Sequence, residues 1–258
     1  MKARIAILIF CISIIGVLAY KFLGVSSVIT NQATLPTPTL IARQTNDTLT
    51  YQDIAYDYEF FTSDHPDRLT LIANFETPIR GSTLAAKNKC DYAINGGFYA
   101  TAGTPLGAFV GNGYNQPKAL NSALFNGFFE FSASKAVITT TVDTNYTFIL
   151  QSGPLLVYNA SPLPLAIQND EHARRSVVVM TNDGQILFVT FYINDSIYNG
   201  PLLDDLPMIL KQFAVDQRIS ITEALNLDGG SATYFKNSDI ELPELTPIGS
   251  MFCLQNDH

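Results

Sequence analysis

The sequence predicts an α+β domain: strand-rich, with a mixed, largely antiparallel sheet and few helices. Three observations predict it. Runs of β-branched and aromatic residues, bounded by turn residues, recur between positions 69 and 192. Asn182-Asp183-Gly184, set between two such runs, is a strong hairpin signal. Only one long segment, Leu203 to about Gln217, repeats its apolar residues at helical spacing.

The elements follow in chain order. Lys2 and Arg4 precede an uncharged apolar run from Ile5 to Tyr20, closed by Lys21. That pattern assigns residues 1–23 to an export signal or an uncleaved membrane anchor. Residues 24–47 are rich in Ser, Thr, Pro, Asn and Gln, and Thr34 to Leu40 composes a stiff linker. The folded domain is expected over 48–258. Within it, Leu69–Phe75, Ala123–Ser132 and Ala136–Val142 read as strands. Phe148–Tyr158 reads as strand broken at Gly153-Pro154, and Arg175–Thr181 and Gln185–Tyr192 form the hairpin. The helix carries Leu206, Ile209, Leu210 and Phe213 on one face, with Asp204 and Asp205 in its first turn. It leads into a strand ending at Asn226.

At 258 residues and 47% hydrophobic content, the chain has enough apolar material for one sizeable core. It has no Trp, so 17 Phe and 12 Tyr must supply the aromatic bulk. The net charge of -8 argues against non-specific nucleic-acid binding, which needs clustered Lys and Arg to displace counterions. Beyond the leader, Cys90 and Cys253 are the only cysteines. An oxidising compartment favours a bridge between them; two separate buried thiols are the alternative.

Two turns carry the chemistry. Ala93-Ile94-Asn95-Gly96-Gly97-Phe98-Tyr99 and Ala224-Leu225-Asn226-Leu227-Asp228-Gly229-Gly230-Ser231 each end a short apolar run in an Asn followed by paired glycines. Glycine pairs serve where the backbone turns sharply or approaches something closely. Asn226 and Asp228, two apart, project from one strand face. Gly229, Gly230 and Ser231 offer N–H groups and a hydroxyl, a set suited to holding an anion. The competing reading is an Asx-turn, in which Asp228 bonds its own backbone. No zinc-spaced Cys/His cluster, Walker loop, nucleophile elbow or dinucleotide fingerprint appears.

The ordered segments resemble the phosphodiester glycosidase family. Asn226 to Thr233 matches that family's N-L-D-G-G-G-S-[SA]-T with one Gly fewer. Asn95-Gly96-Gly97-Phe98-Tyr99 matches N-[AG]-G-[FYM]-[FY], Pro105-Leu106-Gly107 matches P-x-G, and Gly153-Pro154-Leu155-Leu156-Val157 is similar to G-P-x-L-V. His172-Ala173-Arg174-Arg175 resembles H-P-R-T, with Ala and Arg replacing Pro and Thr. The resemblance implies hydrolysis of a sugar-1-phosphodiester. Asp228, Arg174 and Asn95 would be catalytic; Asn226, Gly229, Gly230, Ser231, Gly97 and His172 would bind substrate. Arg174 is preferred to Arg175 because it aligns with the family's arginine.

The expected partner is a phosphorylated glycan or sugar-phosphodiester, with no nucleic acid, and membrane contact only through the N-terminal segment. No cofactor is required, although the many carboxylates leave room for a divalent cation such as calcium. Two rival readings keep the same residues: a non-catalytic module binding glycan phosphate at the cell surface, and a structural surface protein whose glycine turns are only corners.

Overall fold

The computed structural model describes residues 47–101 and 103–256. The expected signal or anchor (1–23) lies outside the described residues, as does the linker apart from Asp47, which opens the first strand. The chain runs β1 (Asp47–Tyr51), β2 (Ile54–Ser63), β3 (Leu69–Ala73), α1 (Gly81–Lys87), β4 (Tyr92–Asn95), β5 (Phe109–Gly111) and β6 (Tyr114–Gln116). It continues through β7 (Gly127–Ser132), β8 (Lys135–Thr139), β9 (Phe148–Ser152), β10 (Leu155–Tyr158), β11 (Ser161–Pro162), β12 (Arg175–Thr181) and β13 (Ile186–Tyr192). The last elements are α2 (Leu206–Gln217), β14 (Ile221–Asn226), β15 (Phe235–Lys236), β16 (Glu241–Leu242) and β17 (Ser250–Leu254).

These strands form three sheets, ordered β1-β2-β13-β12-β14-β10-β11, β16-β15-β4-β17-β3 and β6-β5-β9-β7-β8. The strands pair antiparallel in all three, so the expected mixed sheet is corrected; one isolated parallel bridge joins Ile72 and Asn112. The reason is connectivity. Consecutive neighbours such as β12 and β13 are joined by tight turns, which leave no room for the crossover that parallel pairing needs; the non-consecutive neighbours also run antiparallel. The molecule is therefore mostly β, with two α-helices among the described residues.

The hairpin forms at Asn182-Asp183-Gly184: Gly184 adopts φ +85° and Met180 pairs with Ile186. Its two strands are buried on both faces. Val178, Met180, Ile186 and Phe188 face a core shared by all three sheets, while Val177, Val179, Leu187 and Val189 face α2. Burial on both sides explains why these strands read as unbroken apolar runs rather than alternating ones. Phenylalanine fills the shared core, with Phe252 centred 4.9 Å from Phe188 and 5.5 Å from Phe129.

Helix α2 starts three residues later than the periodicity predicts. Leu203 to Asp205 form a turn, Asp205 is the N-cap and Pro207 sits in the first turn. Asp204 is not in the helix, because its carboxylate accepts the Ile167 N–H at 2.8 Å. Leu206, Ile209, Leu210 and Phe213 are buried as the spacing requires, and Arg218 in the left-handed region (φ 57°) ends the helix. Cys90 and Cys253 are joined as a disulfide with Cα atoms 5.3 Å apart, tying the approach to β4 to the adjacent β17.

Candidate active site

The site lies where two sheets meet. Strand β14 of the first sheet ends at Asn226; the chain then crosses through Asp228-Gly229-Gly230 to β15, which pairs with β4 in the second sheet. Strand β4 ends at Asn95, so both glycine turns arrive at one seam. They bond directly: the Asp228 N–H donates to Gly96 O at 3.0 Å, and Asn95 Nδ2 donates to Asp228 O at 2.7 Å. Glycine is required at 96 by close approach, since a Cβ there would fall 2.2 Å from Ser250 Oγ.

Asn95 is buried and its amide is fully engaged. Beside Asp228 O, Nδ2 donates to Gly96 O at 3.1 Å; Oδ1 accepts from Ser176 Oγ at 2.8 Å and from the Tyr234 N–H at 3.2 Å. Asn95 is therefore a positioning residue that fixes Asp228 between the sheets, and its amide is not presented to a ligand. Asn95→Ala is expected to cost about 2–4 kcal/mol, because it strips partners from several buried groups at once. Urea unfolding measures this, and a change within about 0.5 kcal/mol would contradict the tie.

Asp228 is half-buried. Oδ1 accepts the Gly229 N–H at 2.9 Å, and among the described residues Oδ2 receives no hydrogen bond. Burial pushes its pKa up from 3.8 to about 7, opposed only by the Gly229 N–H. A carboxyl that exchanges its proton near neutrality suits acid–base work. Tyr99 lies close enough for the Asp228 charge, together with burial, to raise its phenol pKa.

The glycine N–H groups do not form an open anion cradle. Gly229 N–H is taken by the Asp228 carboxyl, one residue short of the partner an Asx-turn requires, and Gly230 N–H donates to Arg174 O at 2.9 Å. Gly230 takes φ +61°, and the ladder slips by one residue as the chain leaves β14. Gly97 is closely packed: a Cβ there would fall 2.9 Å from Leu150 Cδ1. Asn226 is buried, with Nδ2 donating to Gly153 O at 2.9 Å and Oδ1 left without a partner. Ser231 is exposed beyond the turn, and exposed His172 directs Nδ1 to Gly200 O at 2.9 Å.

The two arginines diverge, as adjacent residues of an extended chain must. Arg174 is fully buried. Its Nη2 donates to Thr233 O and, at 2.6 Å, to Pro243 O, while its guanidinium stacks 5.4 Å from the Tyr198 ring. Nε and Nη1 have no partner, and burial lowers its pKa to about 10, with Tyr198 and Glu244 opposing. Through Nη2, Arg174 holds the chain that follows the turn. Arg175 ion-pairs with Asp170 at 3.1 Å, donates to Pro201 O, and passes within 3.7 Å of where a Cβ on Gly229 would lie.

Residues 243–249 flank the seam, and no sequence signal marked them. Among the described residues, no group of three or more His, Cys, Asp or Glu is placed to hold a metal ion, and no helix is long and apolar enough to cross a membrane.

Residues 88–253 match the family model described as phosphodiester glycosidase. Among solved structures, the chain is similar to the zebrafish N-acetylglucosamine-1-phosphodiester alpha-N-acetylglucosaminidase catalytic domain auto-inhibited by its pro-peptide. That match has a TM-score of 0.64 and 15% identity, covering 83% of this chain and 82% of the other. A hypothetical protein from Synechocystis aligns with a TM-score of 0.56 and 14% identity over 81% of this chain and 61% of its own. A putative exported protein from Burkholderia pseudomallei aligns at 0.53 and 12% over 78% and 74%. At these identities the structural likeness concerns the fold. No curated protein matches the chain.

Proposed function

Because this chain belongs to the phosphodiester glycosidase family, we propose that it is a hydrolase acting on a sugar-1-phosphodiester. Water adds at the anomeric carbon, the bond from that carbon to the phosphate oxygen breaks, and a free sugar and a phosphomonoester leave. The observation that carries this reading is Asp228: its backbone N–H and carbonyl are both tied to the first turn, its Oδ1 accepts the Gly229 N–H, and among the described residues Oδ2 is open. Asp228 takes the proton of the attacking water as general base. The departing phosphate is a weak base and needs little acid assistance. Asn95 and Arg174 act as positioning residues, through Asp228 O and through the segment after Ser231. The charged, apolar start of the chain (Lys2 to Lys21) supports delivery outside the cytoplasm.

The test is reducing-sugar release from a panel of sugar-1-phosphodiesters, including an N-acetylglucosamine-1-phosphodiester, with ligand binding measured in parallel. Release with kcat/KM rising through an apparent pKa near 7 is the expected result. Binding without release would turn the reading to a glycan-phosphate module, and neither would leave only a structural protein.

A further inference from the structure

Residues 243–249 run beside the Asp228 turn, and side chains from distant elements hold their carbonyls. Arg174 Nη2 binds Pro243 O at 2.6 Å, Arg80 Nη1 binds Glu244 O and Leu245 O at 3.0 and 3.1 Å, and Asn74 Nδ2 binds Ile248 O at 2.7 Å. Tyr99 Oη donates to Pro247 O at 2.5 Å, and its ring occupies the space a Cβ on Gly249 would need, 2.5 Å away. The Leu245 and Thr246 N–H groups both donate to Ser231 O, at 2.8 and 3.0 Å. This wall is fixed rather than a lid, and it sets one side chain in a defined place. Thr246 Oγ1 donates to Ser231 Oγ at 3.1 Å, and both residues are exposed.

Two exposed hydroxyls locked together on rigid backbone, with Ser231 three positions beyond Asp228, are not needed for packing. Their polarity is informative. Thr246 gives its proton to Ser231, so the pair offers solvent one donor, the Ser231 O–H, and free lone pairs on both oxygens as acceptors. A phosphate oxygen only accepts and would use the donor alone. Two neighbouring hydroxyls of a sugar ring, each donor and acceptor, use both kinds of site. Tyr99 links this pair to the first turn: it follows Gly97-Phe98, and its Oη donates to the carbonyl of Pro247, the residue after Thr246.

We propose that Thr246 and Ser231 form a sugar-recognition subsite that selects a glycone with adjacent free hydroxyls and orients it beside Asp228. The subsite rests on the hydrolase reading, and its test separates the two. On whichever panel member is cleaved, Thr246→Val should raise KM about tenfold, the loss expected for one hydrogen bond. Its kcat should stay within about twofold and its pH profile unchanged, whereas Thr246→Ser should restore the wild-type KM. Wild type should lose a similar factor toward the analogue lacking one of the two hydroxyls, while Thr246→Val should barely distinguish the pair. A wild-type KM for Thr246→Val overturns the subsite, as does undiminished discrimination, or a fall in kcat alone. If no panel member is cleaved, the hydrolase reading fails by itself. Titration of wild type with free hexoses and N-acetylhexosamines, followed by NMR shifts, then decides the subsite. Binding that Thr246→Val abolishes supports it, and no binding by wild type overturns it.

Discussion

Asp228→Asn should abolish turnover and, at pH 8, make the protein more resistant to heat. The folded-state pKa is raised from 3.8 to about 7. Between those values the folded chain holds a proton that the unfolded chain has released. Stability from this group is therefore fully present below pH 3.8, falls as pH rises, and is gone above about pH 7. Asn stays neutral throughout and keeps the oxygen that accepts the Gly229 N–H, so the variant escapes the penalty. Allowing for partial water access at the turn, the gain at pH 8 should be about 1–2 kcal/mol, or roughly 2–8 °C in melting temperature. At pH 4 the two proteins should melt nearly together. A variant less stable than wild type at pH 8 would mean that the carboxylate has a stabilising partner and is not poised for proton transfer.

Arg174→Ala should damage the fold more than any ligand contact. Its guanidinium is enclosed, and its Nη2 bridges Thr233 O and Pro243 O. Removing it leaves the buried Thr233 carbonyl and the half-buried Pro243 carbonyl short of a donor, and a cavity of arginine size, a loss of about 3–5 kcal/mol. Arg174→Lys keeps the charge but cannot span both carbonyls, so it should recover part of that loss. Equilibrium unfolding of the two variants reads the difference. Wild-type stability in Arg174→Ala, with phosphate-ester binding lost, would instead make this arginine a direct ligand group. Arg175→Ala provides the contrast: it frees Asp170 and the carbonyls of Pro201 and Glu171, and so loosens the loops on the other side of β12.

Much of this architecture was legible in the residues. The Asn182-Asp183-Gly184 hairpin, the break at Gly153-Pro154 and the buried face of α2 follow from turn chemistry and periodicity. So does the convergence of the Asn95 and Asp228 turns, because each motif ends a buried strand. What the sequence hid is long-range. Which way Arg174 points depends on a chain segment some 60–70 residues later, whose carbonyls it meets at Thr233 and Pro243. The glycine N–H groups read as donors for a ligand, yet a local bond to Asp228 and a distant one to Arg174 consume them. Thr246 carries no local signature; hydrogen bonds from distant residues to segment 243–249, and its own to Ser231, bring it to the seam. The start of α2 was misplaced because Asp204 is claimed by Ile167, a partner 37 residues away.

The bridge between Cys90 and Cys253 encloses a stretch of backbone 163 residues long, containing both glycine turns and both arginines. Within that closed loop, one protease nick cannot release a fragment. A cut in the mostly exposed run 117–124 would yield two polypeptides that still migrate as one until a thiol is added. Asp228, Asn95 and Arg174 would remain on the same covalent particle.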